Sequence, residues 1–478
     1  MKLAAPFSSP SPSPLDSDRS SVNLRIFRAA SSVAIAGVLV KIAATFKEVV
    51  VAGVYGRSDA MDAFLIAFLI PNLLINLIAE SMNQALIPTL VRVRELEGHD
   101  SAQRLLSSSM LWITALLTGT SLLLAASARL FFPLIASHFP ADKLATSEHL
   151  FYALLPVVLL TGIATNCTAV LNTLDHFAWP AVAPIVTPVA IMLAAGFFSP
   201  QFGLWALVYA TVGGAALHLG LMVWMMERRG YRFRLRWNGR TEAMQEVAHQ
   251  YGPVLLSSVV ASSGLLVDQS MAAMLPTGSV SALVYAGRFV SVVLTLLAGA
   301  VSAAVVPSFS RMIAYRDWTG CRQTLLTWSL ITAAVSVPIT LLLMVGAHPL
   351  IRIAFQHGVF KASDTAVVSP VLVMYAIQIP FYVISRVFYR FIVAMRRTDL
   401  VFYCGVINLI LDIALNLVLM RWMGIAGIAL ATSLWTVSTF IFLLYWARRL
   451  LRDGPQSGPE SGKPESTGQG SGTAEAIA

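Results

Sequence analysis

Residues 38–56 read VLVKIAATFKEVVVAGVYG, an apolar stretch long enough to cross a bilayer that nevertheless carries Lys41, Lys47 and Glu48. Charged side chains facing acyl tails are costly, so groups placed there face a cavity, a partner or one another. Asp62, Glu80, Asp268, Arg288, Arg386, Arg390 and Asp412 share that position within apolar runs. Lys41 and Glu48, seven residues apart, fall on nearly the same helix face, as do Arg386 and Arg390, four apart. The five bases Lys41, Lys47, Arg288, Arg386 and Arg390 come from both halves of the chain and can converge on an anion. A diphosphate suits them, because guanidinium groups bind phosphate oxygens in bidentate fashion and lysine supplies a compact charge. The plainer alternative is that these charges pair with nearby carboxylates and only hold helices together.

A second set differs in kind. INLILDIALN (407–416) puts Asn408, Asp412 and Asn416 on one helix face; Asp268 stands in GLLVDQSM and Thr432 in IALATSLW. Carboxylate, amide and hydroxyl oxygens without nitrogen or sulfur ligands suit a hard cation such as sodium. A proton on either carboxylate, or simple interhelical hydrogen bonding, would use the same residues. No Walker loop, HExxH or GxSxG stands in a fitting context, so a transporter rather than an enzyme is expected. Cys167, Cys321 and Cys404 lack the spacing of a disulfide framework or zinc site and read as small apolar residues.

The elements that must position these residues are membrane helices. The 478 residues are 57% hydrophobic and 12% charged, against about 25% charged in soluble domains. Marking runs of roughly 20 apolar residues gives about twelve spans, from near 30–54 to near 423–447. The expected fold is an all-α polytopic membrane protein of two six-helix lobes. The boundaries are a disordered segment 1–29, lobes at 30–226 and 252–450, a basic linker 227–251 and a disordered tail 451–478. The net charge of +9 does not point to nucleic acid: 22 of the 33 Lys and Arg fall on one side of this topology and six on the other. That bias puts both termini in the cytoplasm and the linker ERRGYRFRLRWNGR beside anionic lipid headgroups. AESMNQALIPTLVR (79–92) and AGAVSAAVVPSFSR (298–311) share the pattern A-x5-A-x2-P-x3-R, displaced by 219 residues. Ala63 and Ala67 fall opposite Ala282 and Ala286 in the same register. Two like-folded halves in parallel orientation follow, an arrangement in which transporters hold substrate between rocking halves.

DAFLIAFLIPNLL (62–74), Ala79-Glu80, VYAGR (284–288), VVPSFSR (305–311) and FQHGVF with Asp364 together resemble the MurJ/MviN family of lipid II flippases, within the multidrug/oligosaccharidyl-lipid/polysaccharide exporter superfamily. The likeness runs from about residue 30 to 450. It implies export of an undecaprenyl-diphosphate-linked glycan across a bacterial inner membrane by alternating access, beside cell-wall or polysaccharide synthesis enzymes. It also implies a diphosphate site drawn from Lys41, Lys47, Glu48, Asp62, Asn72 (in the PNLL motif), Glu80, Arg288, Arg386 and Arg390. A sodium site drawn from Asp268, Asn408, Asp412 and Thr432 would serve the coupling ion, with no other cofactor. Departures are Ile75 and Asn76 where the family commonly has paired arginines, Ser291 where it has an acid, and a polar run after Arg452 where members typically add two helices. These leave the cargo open between lipid II and a lipid-linked exopolysaccharide unit; a cation-coupled drug exporter, which shares the superfamily architecture, and a membrane scaffold for glycan synthases, in which the charges pair off, stand as rival readings.

Overall fold

The computed structural model of the chain describes residues 14–174, 178–239 and 241–453. Among them there is no strand. Twelve long helices run in order: α1 (Pro14–Tyr55), α2 (Asp59–Glu97), α3 (His99–Ile135), α4 (Ala141–Thr173), α5 (Trp179–Phe197) and α6 (Trp205–Glu227) form the first half. The second half holds α7 (Glu242–Ala272), α8 (Ser279–Ala314), α9 (Trp318–Val345), α10 (Ala362–Ala394), α11 (Thr398–Met423) and α12 (Ile425–Asp453), with a short helix at Ala347–Phe355 between α9 and α10. Eleven of these, α2 to α12, are long and apolar enough to cross a membrane; α1 carries the charged stretch 41–48. The chain is a multi-pass membrane protein.

Two expected boundaries move. Helix α1 begins at Pro14 rather than near residue 30; proline at a first helical position lacks an N–H that would have no partner anyway. The linker is shorter than 227–251, because Thr241 caps α7 by accepting from the Met244 N–H at 3.3 Å. What remains is pinned along α3: Gln103 both donates to the Arg232 carbonyl and accepts its N–H, each at 2.9 Å. The polar tail beyond Asp453 lies outside the described residues.

Packing follows the internal repeat. Within the halves, α4 packs on α2 and α6, and α10 packs on α8 and α12. Between the halves, α1 packs on α8 and α2 on α7, and these two contacts are equivalent under the repeat. Ala63, Ala67, Ala282 and Ala286 are all buried, small residues that let helices approach closely. The repeat displacement of 219 residues also separates Asp62 from Ser281, and the Asp62 carboxylate accepts the Ser281 N–H at 2.9 Å. The two equivalent helix starts therefore meet at one point between the halves.

Two local features shape α2 and the turn before α8. Pro71 removes a donor from α2, and a π turn follows at Ile75–Glu80, a distortion frequent at functional sites. Gly278 precedes α8 at φ 81°, and a Cβ there would stand 2.8 Å from the Arg57 Cβ. Only glycine fits that turn against the opposite half.

Candidate functional site

The charged stretch of α1 meets α8 at the line between the halves. Glu48 is 1% exposed, and its Oε1 accepts from Lys47 Nζ at 2.8 Å and from Arg288 Nη2 at 3.0 Å. Arg288 Nε reaches the same oxygen at 3.0 Å. One carboxylate thus serves two bases, one from each half. Lys41 stands two helical turns before Glu48 on nearly the same face of α1; it is exposed, and among the described residues it forms no ion pair. Three bases against one acid leave a surplus of two positive charges. The Lys47 side chain is 19% exposed and that of Arg288 37%, so the surplus is reachable while the acid beneath is covered. Such a cluster can take an anion with two negative charges, the phosphate oxygens replacing Glu48 as acceptors for Arg288.

The structure does not bring every expected residue to this cluster. Asp62, expected in the diphosphate site, is instead a cap in trans for α8. It is 2% exposed, and its oxygens accept the Gly278 and Ser281 N–H groups at 2.7 and 2.9 Å. These are the two donors that a capping box satisfies from within its own helix. Arg386 donates to the Tyr382 hydroxyl and lies 4.5 Å from that ring. Arg390 donates to Ser302 Oγ at 3.4 Å. Both arginines therefore engage side chains of the second half rather than Glu48. Glu80 is exposed at the end of the π turn. The Asn72 carbonyl accepts from the Asn76 side chain at 2.9 Å, so Asn76 ties down the π turn in place of a charge.

Around Asp62 stands a network that the sequence did not announce. Arg57 reaches Asp364 at 3.3 Å and the Gly278 carbonyl at 3.0 Å. Lys143 binds Asp59 at 2.6 Å and lies 3.5 Å from Asp62. The Tyr285 hydroxyl donates to the Gly56 carbonyl at 3.0 Å, and the Val359 N–H to that of Gly53 at 2.8 Å. All but the Lys143 bonds join the first half to the second at the end of the bundle that carries Tyr55. The readable signal was a concentration of Asp59, Asp62 and Arg57 at a helix start.

The second set assembles with one exchange. Asn416 donates from one amide nitrogen to Asp268 at 2.9 Å and to Asp412 at 3.0 Å, and Thr432 donates to Asp268 at 2.9 Å. These side chains join α7, α11 and α12, and both carboxylates are buried. Asp412 Oδ2 and Asn416 Oδ1 have no hydrogen-bond partner. Two adjoining buried carboxylates, one with an unsatisfied oxygen, are costly when both are charged, and the all-oxygen donor set has the chemistry of a hard-cation site. Asn408 does not belong to it: a turn away, its amide donates to Thr439 at 2.8 Å and faces a separate cavity. Among the described residues no group of three or more His, Cys, Asp or Glu could hold a metal. Cys167, Cys321 and Cys404 are buried free thiols.

Two repeated helical halves meeting over a basic cluster define a transporter of the multidrug/oligosaccharidyl-lipid/polysaccharide exporter fold. The profile of one family in that superfamily, described as lipid II flippase MurJ, matches residues 51–459. The chain belongs to that family. It is 27% identical over 375 residues to a lipid II flippase MurJ of Burkholderia cenocepacia, covering 76% of this chain and 72% of the relative. It is 24% identical over 419 residues to a probable lipid II flippase MurJ of Buchnera aphidicola from Acyrthosiphon pisum, covering 86% and 82%. Among solved structures, a lipid II flippase MurJ in an inward closed conformation superposes with a TM-score of 0.74 at 23% identity, covering 87% of each chain. An inward-facing multidrug resistance MATE family transporter superposes at 0.73 and 12% identity, covering 88% and 98%.

Proposed function

We propose that this protein flips lipid II across the bacterial inner membrane by alternating access of two lobes, α1–α6 and α7–α12. The observation that carries the reading is the Lys47–Glu48–Arg288 contact at the meeting line of the lobes, with Lys41 two turns along α1 bringing the surplus to two positive charges. A diphosphate supplies the matching charge and ties α1 to α8 through one ligand. With both termini cytoplasmic, the Tyr55 end faces the periplasm, and the Arg57–Asp364 and Asp62–α8 bonds hold that side together while substrate is taken from the cytoplasmic leaflet. Reversal of the cycle requires those bonds to part. Asp268, Asp412, Asn416 and Thr432 would hold a sodium ion or a proton, which supplies neutralising charge there. The residues themselves bind α7, α11 and α12 into one unit, so their occupancy biases the posture of the second lobe. The membrane potential contributes about 2.3 kcal/mol per charge per 100 mV to such a cycle.

The experiment is flipping of fluorescent lipid II in reconstituted vesicles. Wild-type protein should move it between leaflets, and Lys41→Ala and Arg288→Ala should each slow it at least about tenfold with helix content unchanged by circular dichroism. Wild-type rates in both variants would overturn the site.

A further inference from the structure

Helices α9 and α12 both pack on α10, and between them the surface of the second half carries a groove of about 610 Å³. Ile384 and Phe388 of α10 form its floor; Leu326 and Leu330 of α9 and Phe440 and Leu444 of α12 form its walls. Leu326 and Leu330 are 56% and 69% exposed, so the groove opens outward. At one end stand Arg322, in the second turn of α9, and Arg448 and Arg452, in the last two turns of α12. All three are exposed, and Arg322 and Arg448 form no ion pair among the described residues. The acids at these two helix ends, Asp317 and Asp453, are outnumbered by the three arginines and Arg449. Asp317 is moreover engaged within its own helix, accepting the Gly320 N–H at 2.8 Å.

The length of the groove and the placement of its charge describe what would fill it. Along α12, Phe440 precedes Arg452 by twelve residues, roughly 18 Å of helix at 1.5 Å per residue. That is close to half of a ~30 Å hydrocarbon core, so the groove spans one leaflet. A spanning helix of a partner would need a contact face over the full thickness and has no use for a basic mouth. A phospholipid matches both features: guanidinium groups meet its phosphate at headgroup level, and the apolar walls below take an acyl chain. The chain gains little by leaving the bilayer, because acyl tails are as apolar as leucine. Selectivity therefore lies in the headgroup, where arginines favour anionic over zwitterionic lipid.

We propose that this groove is a binding site for an anionic phospholipid of the cytoplasmic leaflet, the side on which the charge bias puts the end of α12. Its phosphate lies at Arg322, Arg448 and Arg452, and one chain lies against Phe388 and Phe440. A lipid seated there bridges α9 and α12 across α10 and so stiffens the second half.

The test is native mass spectrometry of delipidated full-length protein in detergent, titrated with phosphatidylglycerol or phosphatidylcholine, with thermal unfolding measured alongside. Wild-type protein should bind one phosphatidylglycerol at least about tenfold more tightly than phosphatidylcholine, and only the anionic lipid should raise its unfolding temperature. The Arg322→Gln/Arg448→Gln double variant should lose that preference. Leu330→Trp, which fills the groove and leaves the arginines in place, should weaken phosphatidylglycerol binding at least about tenfold. Both variants should keep the helix content of the wild type by circular dichroism. Equal affinity of the wild type for the two lipids, or wild-type binding by both variants, would overturn the proposal. Loss in the arginine variant with none in Leu330→Trp, or displacement of the lipid by inorganic phosphate, would reduce the site to a surface attraction for anions. Dimers that dissociate in Leu330→Trp, with no lipid preference, would assign the face to a second copy of the chain instead.

Discussion

At the scale of single residues, Glu48 decides how the basic cluster behaves. It is the covered acid between Lys47 and Arg288, and without it three bases would face one another. Breaking a buried ion pair by removing one partner costs about 3–5 kcal/mol; the accessible Arg288 side chain brings Glu48→Gln to about 2–3 kcal/mol. That loss should appear as a lower unfolding temperature, larger than the change caused by Lys47→Gln; an unchanged temperature would mean the shared carboxylate holds nothing. Asp268 and Asp412 act likewise as a pair. If their cluster takes sodium, replacing choline chloride by sodium chloride should raise the unfolding temperature of the wild type but not of Asp268→Asn, and equal shifts in both would exclude the cluster as the sodium site. The sequence disclosed these charged residues through their placement in apolar runs. It did not disclose the partner of each, and Asn408 and Asn416, equally spaced about Asp412, parted company because only one turn of α11 faces Asp268.

At the scale of elements, the point of interest is where the start of α8 is capped. Gly278 and Ser281 offer N–H groups that their own helix leaves unpaired, and Asp62 of the other half accepts both. A cap is worth about 0.5–2 kcal/mol, and here it holds two halves together as well as one helix. Asp62→Ala should therefore loosen the Tyr55 end. Spin labels on cysteines introduced at Ala60 and Ala362, both exposed, would report this by double electron–electron resonance, since the natural thiols are buried. A longer distance population should grow in the variant; an unaltered distribution would show that the cap does not restrain the halves. Hydropathy located the helices themselves, because about 20 apolar residues in a row have few alternatives in lipid. It misplaced the start of α1, where Ser, Pro and Asp give a polar run, and it placed Asp62 in the cavity because its partners lie 216 and 219 residues away.

At the scale of the whole molecule, the internal repeat carried more information than any single motif. The A-x5-A-x2-P-x3-R pattern set the two halves in register, and the symmetry-equivalent contacts of α1 on α8 and α2 on α7 are what such a register requires. This geometry brings Arg288 onto a carboxylate 240 residues away in sequence, one that Lys47 already engages; neither half could form that contact alone. The most direct measurement is the affinity of the purified protein for undecaprenyl diphosphate, compared with Arg288→Gln and Lys41→Gln at equal helix content. The account predicts that either substitution, one in each half, weakens binding at least about tenfold and lessens its dependence on salt. Wild-type affinity in both variants would contradict it.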